Sequence, residues 1–588
     1  MTDQIGPAAR VVRVVPDVAG ITKAFDYLVP PALDDQVGIG TLVRVVLNGR
    51  RVGGWVVEDR VDPPAGVALR PLAHVTGIGP GVEVVALARW AAWRWAGRPR
   101  HLLRSASPDG AVRGLPPAAP VSSAASTVDD GAAVAALGRE RTVLRLPPAA
   151  DALPLVVAAA RLGTTLVVAP DHAAAASLGG RLRRAGVPVA VLPRGWAQAA
   201  AGGGVVVGAR GAAWAPAPGL AAVVVLDEHE EAHQEEGSPT WSARDVAAER
   251  ARRAGVPCVL TSACPSLEAL AWGVLQAPSR SDERAGWPVV DVVDRRQEDP
   301  LKVDLYSTRL VERIRATPSD AGRPVVCVLN RKGRARLLSC ASCAELARCD
   351  TCGATVSTTD AGMLRCGRCA TERPALCLHC GTARLKQRRL GVSRAREDLE
   401  RLVGQPVAEV TGDLSSAAPL PDAPVLVGTE AVLRRVPQAS TVAFLDLDGE
   451  LLAPRYRAAE ETMALVARAA RILGGKSEGG RLLLQTKLPR HEVVQAALLA
   501  DPARVSAAEV ERRTALLLPP VVAMAHLAGA GAAVYAGDVS AHAGVTALGP
   551  VDGEWLLRAP DHRTLCDALS ATPRPPGRLR VAVDPRRI

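Results

Sequence analysis

Four pairs of cysteines lie between positions 340 and 380, and they read CASC (340–343), CDTC (349–352), CGRC (366–369) and CLHC (377–380). Two residues separate the thiols of every pair, and this spacing lets both thiolates bind one tetrahedral Zn²⁺. A tetrahedral site needs two such pairs, so eight thiols match two structural Cys₄ sites. Disulfides would require an oxidising compartment, which nothing in the sequence indicates. The sequence therefore predicts two bound zinc ions.

The four cysteine pairs can share the two metals in two ways. In a nested arrangement the two outer pairs bind one ion and the two inner pairs bind the other, whereas in a sequential arrangement successive pairs share an ion. Gly353 and Gly362 lie at turn positions between the inner pairs, as the hairpin of a zinc ribbon requires, and this favours nesting, although the sequential order stays open. The nested ligand sets are Cys340, Cys343, Cys377 and Cys380 for one ion and Cys349, Cys352, Cys366 and Cys369 for the other.

The composition is that of a large globular chain without a membrane-spanning segment. Its 588 residues are 48% hydrophobic and 22% charged, which is ordinary for several packed domains. The opening MTDQIGPAAR has no apolar signal core, and no run of about 18 uncharged apolar residues follows it. We expect a cytoplasmic protein that does not contact membranes and whose thiols stay reduced.

Positive charge is concentrated around the cysteines. The chain carries a formal net charge of +11, and between Arg331 and Arg401 fifteen Lys and Arg face seven Asp and Glu, an excess of +8. A concentrated positive surface attracts the phosphates of nucleic acids. The alternative is a solvated basic face without a partner.

The strand and helix patterns predict a multidomain α/β protein. Short strands with turn residues fill positions 10–60, whereas apolar strands alternate with helical stretches on both sides of the cysteines, as in parallel sheets covered on both faces. A stretch rich in Ala, Ser, Pro and Gly separates the two parts. The expected divisions are a β-rich domain (8–104), a linker (105–139), a first lobe (140–278), a second lobe (279–339 and 382–502), a zinc-binding insert (340–381) and a small C-terminal α+β domain (503–588).

Stretches along nearly the whole chain outside the linker resemble, in order, segments of the bacterial replication-restart family PriA (primosomal protein N′), which are superfamily 2 DNA helicases. The cysteine spacing is the most specific of these features. The other stretches are VPDVAGITKAFDYLVP (15–30), GVVVGARGAAWAPAPGLAAVVVLDEHEEAH (204–233), LTSACPSLEAL (260–270), VCVLNRKGRA (326–335), PVLVGTEAVLRR (424–435), FLDLDGELLAPRYRAAEET (444–462) and LGPVDGEWLLRAPDHRTL (548–565).

This resemblance implies two RecA-like lobes, the nested zinc arrangement and an N-terminal domain that captures the 3′ end of a nascent strand. By position, Phe25 would face the terminal base, Asp26 would bind its 3′-hydroxyl, Gly49 or the neighbouring Asn48 would line the pocket, and Arg70 would contact a phosphate. Phe25 is alternatively a core residue of a β domain. The family's winged-helix domain has no counterpart, because only the linker lies in its place.

The nucleotide-binding motifs depart from the family pattern. A P-loop needs glycines, a Lys and a Ser or Thr to hold phosphate and Mg²⁺, but the corresponding stretch TVLRLPPAADALPLVVAAA (142–160) has no Gly and no Lys. Asp227 and Glu228 follow an apolar strand where a Walker-B pair would bind Mg²⁺, yet the expected DEEH order reads DEHEE; an exposed acidic strand end is the alternative. Of the late arginine motif, Arg468 and Arg471 remain. We expect bound ATP and Mg²⁺ to be absent and hydrolysis to be negligible.

The resulting expectation is a replication-restart protein without helicase activity, associated with the nucleoid. It would recognise branched DNA at stalled forks and 3′ ends and contact other primosome proteins, the replicative helicase or its loader, and single-strand DNA-binding protein. Two alternatives stay open: an active ATP-dependent 3′→5′ helicase with a divergent nucleotide site, and a zinc-dependent interaction protein that does not bind DNA.

Overall fold

The structure is a computed structural model that describes residues 10–587 with several internal gaps. The gaps are 22, 63–65, 121–130, 299–304, 318–321, 330–337, 344, 360–361, 367–368, 370, 388–391 and 412–418. Part of the expected linker and part of the basic stretch before the cysteines therefore lie outside the described residues. No helix in the described ranges combines the length and the apolar character needed to cross a bilayer.

The N-terminal part is a six-stranded sheet backed by two helices. Val12 and Val14 are buried while Arg13 between them is only partly covered, which is the alternation of a strand with one face on a core. The sheet order is β5-β2-β1-β4-β3-β6. The elements are β1 (Val11–Pro16), β2 (Phe25–Leu28), β3 (Leu42–Leu47), β4 (Arg50–Asp59), β5 (Arg70–Pro71), β6 (His74–Gly77), α1 (Val82–Arg94) and α2 (Pro99–Ala106).

The first lobe is a seven-stranded parallel sheet in the order β13-β7-β12-β11-β8-β10-β9. Its central strands are buried along their whole length, because helices cover both faces. The elements are α3 (Gly131–Leu137), β7 (Arg141–Arg145), α4 (Leu153–Ala160), β8 (Thr164–Val168), α5 (His172–Arg184), β9 (Val189–Val191), α6 (Trp196–Ala201), β10 (Val205–Gly208), β11 (Leu220–Val225), α7 (Ala243–Ala254), β12 (Cys258–Ser262), α8 (Leu267–Trp272) and β13 (Val274–Gln276).

The second lobe is a six-stranded parallel sheet in the order β14-β24-β23-β15-β22-β21. The cysteine module enters between β15 and α11 and forms small antiparallel sheets. The elements of lobe and module are α9 (Arg280–Ala285), β14 (Val289–Asp294), α10 (Thr308–Ala316), β15 (Val325–Val328), β16 (Leu338–Cys340), β17 (Val356–Thr358), β18 (Met363–Cys366), β19 (Glu372–Pro374), β20 (Leu385–Gln387), α11 (Val392–Val403), β21 (Val407–Val410), β22 (Val425–Gly428), α12 (Ala431–Arg435), β23 (Thr441–Phe444), α13 (Asp448–Leu451), α14 (Ala458–Leu473), β24 (Arg481–Thr486) and α15 (Glu492–Leu499).

The C-terminal part adds one long helix and a four-stranded antiparallel sheet in the order β26-β27-β25-β28. The helix packs against α14 and α15 of the second lobe. The elements are α16 (Ala503–Leu516), β25 (Ala523–Ala528), α17 (Ala532–Ser540), β26 (Thr546–Val551), β27 (Glu554–Ala559), α18 (His562–Ala571) and β28 (Arg580–Val583).

One hydrophobic core joins the N-terminal domain, the first lobe and the C-terminal sheet. Trp95 of the first, Trp214 of the second and Tyr535 of the third are all fully buried in it. The second lobe has a separate core centred on β23 and α14. The multidomain α/β fold, with two parallel-sheet lobes, a cysteine insert and a C-terminal α+β unit, confirms the class expected from the sequence.

Candidate functional site

The eight cysteines form two four-sulfur clusters. The Sγ atoms of each cluster all lie within 4.8 Å of one another, and the clusters are Cys340, Cys343, Cys377 and Cys380, and Cys349, Cys352, Cys366 and Cys369. The sulfurs of Cys340 and Cys380 are 3.5 Å apart, and those of Cys352 and Cys366 are also 3.5 Å apart. This grouping is the nested one, and it does not combine successive pairs.

Tight turns bring the two sulfurs of each pair together. The backbone N–H groups of Ser342 and Cys343 point at Cys340 Sγ, at 3.3 and 3.4 Å. Gly353 and Gly381 close two of the turns in the left-handed region, each with φ of +72°, where a residue without Cβ is favoured. N–H groups directed at a sulfur stabilise the thiolate, which is the metal-binding form.

The donor set fits zinc. Four sulfurs about 2.3 Å from a tetrahedral Zn²⁺ are separated from one another by about 3.8 Å, close to the spacing found here. Four thiolates per ion also fill the coordination sphere, which is the arrangement of a structural rather than a catalytic site. The two clusters can therefore hold two metal ions, and the metal that their chemistry suits is zinc.

Asp227 lies at the carboxyl end of β11 and is bound by an arginine of the other lobe. Arg471 of α14 donates from Nη1 and Nη2 to the two carboxylate oxygens, at 2.5 and 2.6 Å. Burial opposes ionisation of Asp227, but the charge and hydrogen bonds of Arg471 outweigh it and bring its pKa to about 2. Both oxygens that a Walker-B aspartate would offer to Mg²⁺ are thus engaged by a side chain.

Glu228 is held by hydrogen bonds and an ion pair within the first lobe. Its carboxylate accepts hydrogen bonds from the backbone N–H and the hydroxyl of Ser266, both at 2.8 Å, and Arg244 lies 3.3 Å away. The side chain is fully buried. The acidic segment is therefore not an exposed strand end, because arginines and a helix N-terminus compensate its buried charges.

Two further carboxylates of the first lobe pair with arginines of the second. Glu230 accepts from both Nε and Nη2 of Arg468, the former at 3.0 Å, and Glu268 of α8 accepts from Nη1 of Arg457 at 2.9 Å and from its Nη2. Burial opposes ionisation of both glutamates, but their arginine partners lower each pKa to about 2. The three ion pairs between the lobes, which we term the interlobe latch, are Asp227–Arg471, Glu230–Arg468 and Glu268–Arg457.

The stretch that corresponds to a P-loop packs against the second lobe. The N–H of Ala149 donates to Gly286 O at 3.1 Å, and Nε of Arg471 lies 3.4 Å from Pro148 O. Asp151, at the end of the loop, accepts from the N–H of Leu153 at 3.0 Å and pairs with Arg181. Prolines and an aspartate therefore line the place where glycine N–H groups and a lysine would hold phosphate.

Sequence reasoning identified Arg468 and Arg471 as remnants of a motif but did not identify their partners. Glu230, Glu268 and Arg457 were not singled out at all. The only signal for Glu230 was the clustering of acidic residues after β11, and Glu268 and Arg457 had none. The partners are 189 to 244 positions apart, so the tertiary structure determines the pairing.

The N-terminal domain places Phe25, Asp26 and Arg70 on neighbouring strands. Phe25 and Asp26 are on β2, and Arg70 starts β5 opposite Tyr27 of β2. Gly49 instead forms, with Asn48, the two-residue turn between β3 and β4, at φ values of +76° and +48°. This Asn-Gly pair is the preferred sequence for such a hairpin turn, which gives Gly49 a structural role as well.

Phe25 and Asp26 face opposite sides of the sheet, as successive strand residues do. Phe25 is half-buried and packs on the core formed by Val12, Val14 and Tyr27. On the other side, Asp26 accepts from Arg13 Nε at 2.8 Å and from its Nη2 at 3.2 Å. The carboxylate expected at a 3′-hydroxyl is therefore held by an arginine in this structure.

The class is that of a multidomain α/β protein with two parallel-sheet lobes, a cysteine insert with two four-sulfur clusters and a β-rich N-terminal domain. Residues 13–108 match the family model of the 3′ DNA-binding domain (3′BD) of PriA. A Mycobacterium tuberculosis protein described as a probable replication restart protein PriA is 29% identical over 87% of this chain and 85% of its own length. The chain is thus a relative of the PriA replication restart proteins, as the sequence indicated.

Other relatives match over shorter ranges. The PriA proteins of Bacillus subtilis and Thermotoga maritima are both 28% identical to this chain, over 54% and 61% of it. These alignments span 42% and 52% of the two relatives, so the chain matches about half their length. Among solved structures, a single-substitution variant of Saccharomyces cerevisiae Dbp5 bound to RNA and ADP BeF3 overlaps 63% of this chain and 89% of its own, at 10% identity and a TM-score of 0.34.

Proposed function

We propose that this protein recognises stalled replication forks and nascent 3′ ends and then serves as a platform for primosome assembly and for loading of the replicative helicase, without unwinding DNA itself. The relation to the PriA proteins and the match of residues 13–108 to a 3′ DNA-binding domain support the first part. The bidentate contact of Arg471 with Asp227 carries the second.

The second part follows from what phosphoryl transfer requires. Catalysis depends on positioning the phosphates and on stabilising their charge with a P-loop, a Lys and Mg²⁺. In this chain the loop lacks the Gly and Lys, and the aspartate expected to bind Mg²⁺ is bound by Arg471 with a pKa of about 2. The lobes then act as a fixed body rather than as a motor.

We assign the proposed roles to the domains expected from the sequence. Residues 8–104 would bind the 3′ end and residues 340–381, held by two zinc ions, would contact other primosome proteins, the helicase or its loader. Leu376 and Leu378 on either side of Cys377 have exposed side chains, as a contact surface requires. Single-strand DNA-binding protein is a further partner, and the site of action is the nucleoid in the cytoplasm.

The test combines a fork-binding titration with an assay of ATP turnover on the same sample. We expect fork DNA with a free 3′-hydroxyl to bind more tightly than blunt duplex, while phosphate release stays at the level without protein. Fork-stimulated phosphate release that the Glu228→Gln variant abolishes would instead identify an active helicase. Equally weak binding of fork and blunt duplex at low salt would identify an interaction protein that does not bind DNA.

The 3′-end pocket has its own test. Phe25→Ala removes the aromatic face proposed for the terminal base, and loss of one base–aromatic stack costs about 1–3 kcal/mol. We expect a loss of about tenfold on forks with a free 3′-hydroxyl and a smaller loss on forks with a blocked 3′ end. Leu33→Ala is the matched control, because Leu33 packs on the same core. Equal losses on both substrates would mean that Phe25 is only a core residue.

A further inference from the structure

A cavity of about 230 Å³ lies where the N-terminal sheet meets α1 and α2. Its rim carries four arginines, and the one acidic residue of its lining is Glu58. Its floor is apolar. The arginines are Arg13, Arg89, Arg98 and Arg100, and the apolar residues are Val15, Ile21, Ala24, Val57, Val85, Pro99 and Leu103. Guanidinium groups above an apolar floor suit a ligand with a phosphate and a flat or apolar part.

Three of the four arginines have carboxylate partners. Arg13 donates to Glu58 from Nη1 at 2.9 Å, Arg89 donates to the same Glu58 at 2.6 Å, and Arg100 donates to Asp17 at 2.9 Å. Arg98 has neither an ion pair nor a side-chain hydrogen bond with any residue that the structure describes. Its positive charge is therefore uncompensated at the cavity.

The potential around the cavity is positive. His101, one turn into α2, has a lowered pKa because of desolvation and the charges of Arg100, Arg98 and Arg104. Neighbouring cations disfavour a further proton on the imidazole. The same field attracts an anion, and most strongly one that can reach Arg98.

A chain of ion pairs connects this cavity with the proposed 3′-end pocket. Asp26 binds Arg13, Arg13 binds Glu58, and Glu58 binds Arg89. Ala24 of the lining directly precedes Phe25 in the chain, and Ile21 of the lining lies four positions before Phe25. The cavity thus lies on the Asp26 side of the sheet, next to the carboxylate proposed to bind the 3′-hydroxyl.

We propose that this cavity binds one phosphate and the adjoining sugar or base of the DNA strand whose 3′ end enters the pocket at Phe25 and Asp26, with Arg98 and Arg13 as the phosphate ligands. The proposal rests on the proposed recognition of 3′ ends. A cavity of about 230 Å³ is too small for a duplex arm. It accepts one strand.

Occupation of the cavity would release the carboxylate of Asp26. A phosphate bound to Arg13 competes with Asp26 for the same guanidinium group, and charge-assisted bonds to phosphate are strong. Asp26 can then accept a hydrogen bond from the 3′-hydroxyl. Binding of the strand and reading of its terminus are coupled in this way.

The test compares Arg98→Gln with Arg104→Gln as the matched control. Arg104 lies on α2, which Arg98 directly precedes; its side chain is mostly exposed, pairs with Asp17 and is not part of the lining. Binding is measured by fluorescence anisotropy against forks at several salt concentrations. We expect Arg98→Gln to weaken binding about three- to tenfold and to lower the salt dependence by about one phosphate contact, and Arg104→Gln to change binding less than about twofold.

A neutral backbone identifies the contact. Forks with single methylphosphonate linkages, placed one at a time along the last nucleotides, remove one phosphate charge each. At one linkage the wild-type protein should lose at least the factor that Arg98→Gln loses, and the variant should lose less there than the wild-type protein does, because only its contact with Arg13 remains to be removed. Additive losses at every linkage, or an Arg98→Gln variant that binds like the control, would overturn the cavity assignment.

These results can be told apart from failure of the proposed function. A wild-type protein that does not distinguish a free from a blocked 3′ end contradicts the proposed 3′-end recognition itself. A wild-type protein that distinguishes them, with an Arg98→Gln variant indistinguishable from the control, contradicts the cavity alone. Equal melting temperatures of both variants show that the comparison concerns binding and not folding.

Discussion

Asp227 lies in an unusual environment for a carboxylate. Its backbone has a φ of +50°, a left-handed conformation that Asp tolerates better than most residues. Only about an eighth of its side chain is exposed, at 13%, so its charge needs a partner. Arg471 supplies that partner through two parallel hydrogen bonds, which is the strongest geometry available to an arginine and a carboxylate. The pair thus supplies the positive charge that this buried carboxylate requires.

The latch carboxylates predict how the stability of the protein depends on acid. The pKa values of Asp227, Glu230 and Glu268 are about 2 in the folded protein, whereas they are about 3.9 for Asp and 4.3 for Glu in an unfolded chain. The unfolded chain therefore binds protons more readily. The stabilisation is fully present above about pH 4.5 and is lost as the pH falls toward 2.

The triple variant Asp227→Asn, Glu230→Gln, Glu268→Gln should lose part of this dependence. Urea midpoints measured between pH 3 and pH 6 should fall steeply for the wild-type protein and less steeply for the variant. Asp538→Asn, at an exposed position of α17, is the control and should follow the wild type. A variant with the full wild-type slope would mean that the latch pairs do not contribute to folding stability.

Residue-level expectations succeeded where chemistry is encoded locally and not where it depends on distant partners. The spacing of the cysteine pairs limits which sulfurs can meet, and the clusters lie where it indicated. The ion pairing of Asp227 depends on an arginine 244 positions away, and no local sequence pattern predicts that partner. The same holds for Asp26, whose partner Arg13 is on the neighbouring strand.

At the scale of elements, α14 explains how the second lobe reaches the first. Arg468 and Arg471 are three residues apart on a helix, so their side chains share one face. Glu460 in the first turn accepts the N–H of Leu267 at 3.0 Å, at the first turn of α8. The opposite side of α14, which carries Met463 and Val466, packs into the core of the second lobe. One helix therefore presents an apolar face to its own lobe and a charged face to the other.

Metal removal should unfold the cysteine module and leave the parallel sheets folded. β17, β18 and β19 have few and short hydrogen-bonded ladders, and structural zinc sites of this kind contribute folding energy directly. We expect two zinc ions per chain by elemental analysis. After treatment with a strong chelator, hydrogen exchange should become fast in β17–β19 and stay slow in β8 and β23.

Single substitutions separate the two clusters. Cys340→Ser and Cys349→Ser each remove one ligand from a different set. Each variant should therefore lose the ion of the substituted cluster and retain the ion of the intact cluster, which leaves one ion per chain. The two variants serve as controls for each other. Retention of both ions by both variants, or slow exchange throughout the module after chelation, would contradict a structural role for zinc.

The sequence predicted the kinds of elements better than their assembly. Apolar strands fully covered on both faces, such as β8, β10 and β12, are recognisable because a parallel sheet needs no polar face. The packing of α16 on α14 and α15 was not recognisable. Its buried residues include Glu509 and Arg513, which pair with each other. A hydrophobic pattern does not detect such buried charged residues.

At the scale of the whole molecule, the parts form a body that should not open and close. The N-terminal domain, the first lobe and the C-terminal sheet share one core, and the latch holds the second lobe to them. Arg513 of α16 adds a further tie, since it contacts both Glu268 of the first lobe and Glu460 of the second. A helicase motor needs lobes whose separation changes with the nucleotide, whereas a platform needs surfaces at fixed positions.

The separation of the lobes should therefore be independent of nucleotide and dependent on the latch. Fluorescent non-canonical amino acids at Leu162 of the first lobe and Leu402 of the second, both exposed, report this distance by energy transfer without using cysteines. We expect the same transfer efficiency with no nucleotide, with ADP and with a non-hydrolysable ATP analogue, because no differential binding energy is available to shift the equilibrium.

The triple latch variant should show lower efficiency and a broader distribution, since three cross-lobe ion pairs are lost together. The same labels in the Asp538→Asn variant control for effects of charge alone. A change of efficiency on adding the ATP analogue to the wild-type protein would show that the lobes still respond to nucleotide, and the fixed platform would have to be abandoned in favour of a motor.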